Sequence, residues 1–154
     1  MSGFRRPSLG PDFGYTPGEQ PPDDAGWIKL NTNESPVPPS PSVAAAVAAA
    51  AAGLHRYPSP QAEPLRSALA ALHGVAPEQV VVGNGGDALI DSCFRAFCEP
   101  ASTVVLTEPT YSLLPVAARV HSVDAHIVAL PGDGSPPPEY ATATGSLRFL
   151  VNPN

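Results

Sequence analysis

The chain has 154 residues, enough for one domain with a core of its own. A formal net charge of -6, with 8 lysines and arginines and no basic cluster, argues against nucleic acid as a partner. No apolar run approaches the roughly 20 residues of a membrane span, which argues against a membrane as well.

The start, Met1 to Gly10, has Arg5 and Arg6 without an apolar stretch behind them, so no secretory signal is read there. The 21 prolines exceed the usual ~5% and cluster at 7–22, 36–41, 58–64 and 131–138, between periodic segments. Residues 1–26 have little periodicity and read as an extended arm ordered by packing onto something else. Trp27-Ile28-Lys29-Leu30 is strand-like and runs into Asn31-Thr32-Asn33-Glu34-Ser35-Pro36, a turn or loop by its residue types.

Ser42 is placed to cap a thinly apolar surface helix through the alanines to Ala52, closed by Gly53. After the extended His55-Arg56-Tyr57-Pro58-Ser59-Pro60, a second helix is predicted from Gln61 to His73. Leu65, Leu69 and Leu72 form its apolar stripe and Gly74 its stop. Gln79–Gly83 has the β-branched character of a buried strand. It meets Gly83-Asn84-Gly85-Gly86-Asp87, after which a helix runs to Cys98 with Leu89, Ile90, Cys93, Phe94 and Phe97 on one face. Cys93 and Cys98 lie on this helix with no second pair to make a metal site, and read as small buried side chains in a reducing compartment.

A strand at 103–107, a helix at 112–120 with Leu113, Val116, Ala117 and Val120 inward, and a strand at 125–130 follow. A proline-rich loop then leads to a fourth strand, 146–151, ending in Asn152-Pro153-Asn154. Apolar strands alternating with helices predict an α/β fold with a mainly parallel sheet. Ligands of such sheets collect beyond the strands' carboxyl ends. The glycine turn, Pro109-Thr110-Tyr111 and Asn152-Pro153-Asn154 all fall at such ends. A strand, glycine turn and helix start can hold a phosphate on free backbone N–H groups, or can be a plain turn.

Six segments in this order carry a resemblance: Leu30-Asn31-Thr32-Asn33-Glu34-Ser35-Pro36, Arg56-Tyr57-Pro58-Ser59-Pro60, Gly83-Asn84-Gly85-Gly86-Asp87, Arg95-Ala96-Phe97-Cys98-Glu99-Pro100, Pro109-Thr110-Tyr111-Ser112 and Asn152-Pro153-Asn154. From about Tyr15 onward the chain resembles the amino-terminal portion of the histidinol-phosphate aminotransferases, pyridoxal-phosphate enzymes of fold type I. The resemblance implies a three-layer α/β/α large domain, incomplete here. Residues 1–40 would be an arm and substrate-covering loop, and residues 41–154 the first part of the cofactor-binding domain.

It further implies that backbone N–H groups of Gly86 and Asp87 hold the phosphate of pyridoxal 5'-phosphate, with the Asp87 carboxylate turned to the helix amides. Tyr111 would stack on the pyridine ring, and Tyr57 would reach the phosphate in the neighbouring subunit of a homodimer. Asn33 and Glu34 would cover the substrate. The substrates implied are an amino donor, histidinol phosphate, and 2-oxoglutarate, in histidine biosynthesis in the cytoplasm. No metal is implied. Members commonly have Ser and Glu at the positions of Gly86 and Ala88, an aromatic at Leu114 and Asp at Ser59. These departures leave related aromatic amino-acid aminotransferases and threonine-phosphate decarboxylases open as alternatives.

Transamination needs a Schiff-base lysine, and the one lysine here, Lys29, precedes the Asn-Thr-Asn-Glu loop and reads as structural. In the family the lysine, the carboxylate on the pyridine nitrogen and the substrate arginines lie beyond the position of Asn154. The expectation is a fragment without catalytic residues, inactive by itself. A Rossmann-like nucleotide-binding domain is the reading from another class, but the turn lacks G-x-G-x-x-G spacing and no acidic residue ends the next strand at a ribose position.

Overall fold

The computed structural model describes residues 6, 7, 9, 10, 13–22 and 26–154. Two compact units divide the chain. One comprises residues 83–154 with the described residues up to Thr16, and the other Pro17–Val82.

In the larger unit, β1 (Thr103–Glu108), β2 (Asp124–Ala129) and β3 (Leu147–Arg148) form a parallel sheet in the order β2-β1-β3. β1 pairs with β2 from Thr103↔Asp124 to Glu108↔Ala129, and with β3 at Val104↔Leu147 and Val105↔Arg148. Helices α3 (Gly85–Phe97) and α4 (Leu113–Val120) cover one face, where Phe94, Leu114, Ala117 and Ala118 close over Val104 and Leu106. The opposite face packs Val105 and Val128 against Tyr140 of the short helix α5 (Pro138–Thr142). Alternation along β1 sends its side chains to both faces, and both are covered, so Val104, Val105, Leu106 and Thr107 are all buried. This is the α/β arrangement expected, with helices on both faces of a parallel sheet.

Two local expectations are corrected in this unit. The proline-rich loop contains α5, which has Pro138 in its first turn, where proline lacks no needed donor. Arg148 donates to the carbonyls of Ala141 and Ala143 and so holds the end of α5 against β3. On α4 the sheet-facing residues are Leu114, Ala117 and Ala118, so of the predicted stripe Ala117 faces the sheet and Leu113, Val116 and Val120 do not. Leu113, Val116 and Val120 instead line a groove shared with Ile90 and Asp91 of α3. Described residues of the arm belong to this unit: Arg6 donates to the carbonyl of Val120, and the Arg119 guanidinium lies 4.8 Å over the Phe13 ring.

The smaller unit holds α1 (Pro41–Ala51), α2 (Glu63–His73) and a 3-10 turn at Pro77–Gln79. The N-cap of α1 is Ser40, not Ser42, because Pro41 supplies the first helical position and needs no acceptor for a missing N–H. Gly74, left-handed at φ +66, ends α2 as expected. The strand expected at 79–83 does not form. Val80 is extended, at φ -112 and ψ 125, yet no described strand pairs with it. A strand is defined by its ladder, and β-branched residues supply only the backbone preference for one. The leucine stripe of α2 is likewise exposed at Leu65 and Leu72, and Ala70 is the residue of that helix that is buried.

Candidate functional site

The glycine turn bends because Gly85 adopts φ +81 and its N–H returns to the Gly83 carbonyl at 2.9 Å. A Cβ on Gly83 would stand 3.0 Å from Leu89 Cδ2, so this glycine lets the first turn of α3 close onto the loop. Helix α3 then starts with Asn84 as N-cap and without any side-chain cap hydrogen bond. The first-turn amides of a helix have no intrahelical acceptor, and here Gly86 and Asp87 are exposed and their N–H groups uncapped. Open space surrounds the Cβ position of Gly86. Two uncapped donors, the positive end of a 13-residue helix and room beside them fit a phosphate group.

Tyr111 stands at the carboxyl end of β1 and is half-buried against the Phe94–Leu114 core. Its hydroxyl donates to Asp87 Oδ1 at 3.1 Å. The expected orientation of Asp87 toward the helix amides is therefore corrected: the carboxylate is drawn to a phenol donor 24 residues away. Burial, then hydrogen bonds with Asp87 and Tyr15, push the Tyr111 hydroxyl up to about 12. The Asn154 amide donates to the Pro109 carbonyl at 2.6 Å and ties the residues after β3 to the same loop. The structure thus brings Gly86, Asp87 and Tyr111 together in one unit.

Tyr57, Asn33 and Glu34 lie in the other unit. Tyr57 is fully exposed. Asn33 is left-handed at φ +53, a conformation asparagine tolerates in turns. Glu34 pairs with Lys29 at 2.7 Å, and that hydrogen bond and charge hold its carboxyl below the usual range. Lys29 is thereby engaged within its own loop, as a structural lysine would be.

Sequence reasoning assigned no role to Tyr15 or Asn154. The signal for Tyr15 was its being an aromatic in an otherwise Pro-, Gly- and acid-rich arm; for Asn154 it was the position at a strand's carboxyl end. A further cluster was not foreseen. Asp91 accepts from His121 Nε2 at 2.7 Å and from Arg95 Nε at 2.7 Å, and the His121 ring stacks on Phe94 at 5.4 Å. The His121 hydrogen bond is the main cause that lowers the Asp91 carboxyl. Among the described residues no group of three or more His, Cys, Asp and Glu could hold a metal ion, and no helix is long and apolar enough to cross a membrane.

Comparison with known proteins bears on the same residues. The family model for aminotransferase class I and II matches residues 25–133. A histidinol-phosphate aminotransferase of Microcystis aeruginosa is 38% identical over 142 residues, covering 91% of this chain and 40% of that protein. Histidinol-phosphate aminotransferase 1 of Bradyrhizobium diazoefficiens is 44% identical over 156 residues, covering 100% of this chain and 44% of its own. Among solved structures, the histidinol-phosphate aminotransferase of Sinorhizobium meliloti in complex with pyridoxal-5'-phosphate aligns with TM-score 0.63 and 29% identity. That alignment covers 66% of this chain and 28% of the other. N-succinyldiaminopimelate aminotransferase of Mycobacterium tuberculosis aligns with TM-score 0.53 and 34% identity, over 60% of this chain and 26% of its own. The chain spans about two fifths of the length of the curated relatives it matches.

Proposed function

The chain belongs to the class I and II aminotransferases, and on that premise we propose that it carries the cofactor-phosphate turn and the ring-stacking tyrosine of a pyridoxal-phosphate-dependent histidinol-phosphate aminotransferase. The whole enzyme would move an amino group from histidinol phosphate to 2-oxoglutarate, in the cytoplasm. The observation that carries this reading is the juxtaposition of the uncapped Gly86 and Asp87 amides with Tyr111 through the 3.1 Å bond to Asp87.

Bound pyridoxal phosphate supplies an electron sink that stabilises negative charge beside the amine being transferred. The residues of this chain bind and orient. The amides of Gly86 and Asp87 take the phosphate without a cationic side chain, aided by the α3 dipole. Tyr111 offers a flat, half-buried ring for the pyridine face. Exposed Tyr57 is assigned to the phosphate in a second subunit, which makes a homodimer part of the site. Asn33 and Glu34 belong to the substrate-covering loop within an arm region of residues 1–40, with the large domain beginning at 41. Lys29, the one lysine of these 154 residues, is not assigned the Schiff-base role, and the residues named here are assigned binding and orientation alone.

Titration of the purified chain with pyridoxal phosphate, pyridoxal and NAD tests the reading. Pyridoxal phosphate binding at least ten-fold tighter than either competitor is expected. Equal affinity for pyridoxal removes the phosphate turn from the argument, and tighter NAD binding replaces it with a dinucleotide site.

A further inference from the structure

We propose that Asp87 is a positioning residue for the Tyr111 ring, with its backbone N–H left for the phosphate and its carboxylate committed to the phenol. The inference rests on the pyridoxal-phosphate reading of the same turn and adds a role for a side chain that reading does not use.

Asp87 is the third residue of α3, where a carboxylate ordinarily turns back to the first-turn amides. In that orientation it would occupy the donors a phosphate needs and set its own charge against the ligand's. Here the carboxylate accepts from Tyr111 Oη at 3.1 Å, and no side chain caps the helix. The ring of Tyr111 is held at three points. Its body packs against the Phe94–Leu114 core, its loop is tied by Asn154 to the Pro109 carbonyl, and its hydroxyl is fixed by Asp87. Without the last contact only packing against the core restrains the phenol end from swinging about χ1. The ring plane is thereby set before any ligand arrives, and this lowers the ordering cost of stacking.

The test is a double-mutant cycle on the 154-residue chain, read by pyridoxal phosphate affinity and by the circular dichroism induced in the bound chromophore. Asp87→Ala is expected to weaken binding roughly three- to ten-fold, the range for one lost hydrogen bond, and to diminish the induced signal. Tyr111→Phe should do the same, and the double variant should be no worse than either single change. Asp87→Asn keeps an acceptor oxygen and should restore most of the signal. Tighter binding by Asp87→Ala would mean that the carboxylate only repels the phosphate, and would overturn the inference. So would additive losses in the cycle, or wild-type dichroism in Asp87→Ala. A wild-type chain that binds no pyridoxal phosphate would overturn the cofactor reading and this inference with it, whereas binding with no effect of Asp87 overturns the inference alone.

Discussion

Residues 83–154 and residues 17–82 are both supplied with leucine, valine and aromatic side chains, yet they treat them differently. In the first region Phe94, Leu106, Leu114 and Val128 are removed from water between a parallel sheet and its helices. In the second, Trp27, Ile28, Leu30, Leu54 and Leu72 are exposed, and Ala70 is the buried hydrophobic residue among those described. The difference is one of partners rather than composition. Strands β1 and β2 pair along six residues and give α3 and α4 a surface to close on. Among the described residues, helices α1 and α2 have no sheet in their own unit.

The sharpest break of this contrast is Phe94→Ala, since Phe94 is 1% exposed and stacks on both His121 and Phe149. A loss of about 3–5 kcal/mol is expected in urea denaturation. Leu72→Ala in the other region should change stability by no more than about 0.5 kcal/mol. A large loss from Leu72→Ala would show that a partner covers this face in solution. Next is Gly145→Ala, whose Cβ would stand 2.8 Å from the Thr103 carbonyl oxygen and 3.0 Å from Val105 Cγ2. Prying β3 from β1 should cost roughly 1–3 kcal/mol by the same measurement, confined to the 83–154 unit.

The pH dependence should bracket that unit from both sides. Asp91 is held below its ordinary value by His121, with Arg95 contributing. Its contribution to stability is present above about pH 4 and is lost as pH falls through the lowered value. Tyr111 has the opposite sign: its hydroxyl, pushed up to about 12, contributes stability below about pH 10 that is lost between there and 12. Asp91→Asn should flatten the acid limb of a stability profile and Tyr111→Phe the alkaline limb. The smallest effect should be that of Lys29→Ala, an exposed pair with Glu34 in the other region, with no measurable change in melting temperature.

Legibility followed the same division. Strands β1 and β2 and helices α3 and α4 could be read from periodicity, because in that region a paired sheet gives the apolar pattern a surface to meet, although α4 turns Leu114, Ala117 and Ala118 inward and Phe97 of α3 stays exposed. The 79–83 strand and the leucine stripe of α2 were read from patterns just as regular. Their patterns state what could be buried or paired, and no described element in their unit supplies the partner. The glycine turn and helix start were legible because they are set by local residue types, and the phosphate role proposed for them is backbone chemistry of the same kind.

By itself, then, the sequence determined the α/β class and a glycine turn at the head of α3, since both depend on local residue types and their spacing, and six segments in order carried the resemblance to the family. Tertiary structure decided where the Asp87 carboxylate points. A side chain with acceptors to offer takes the best donor within reach, and only the fold brings the hydroxyl of Tyr111 within 3.1 Å of it.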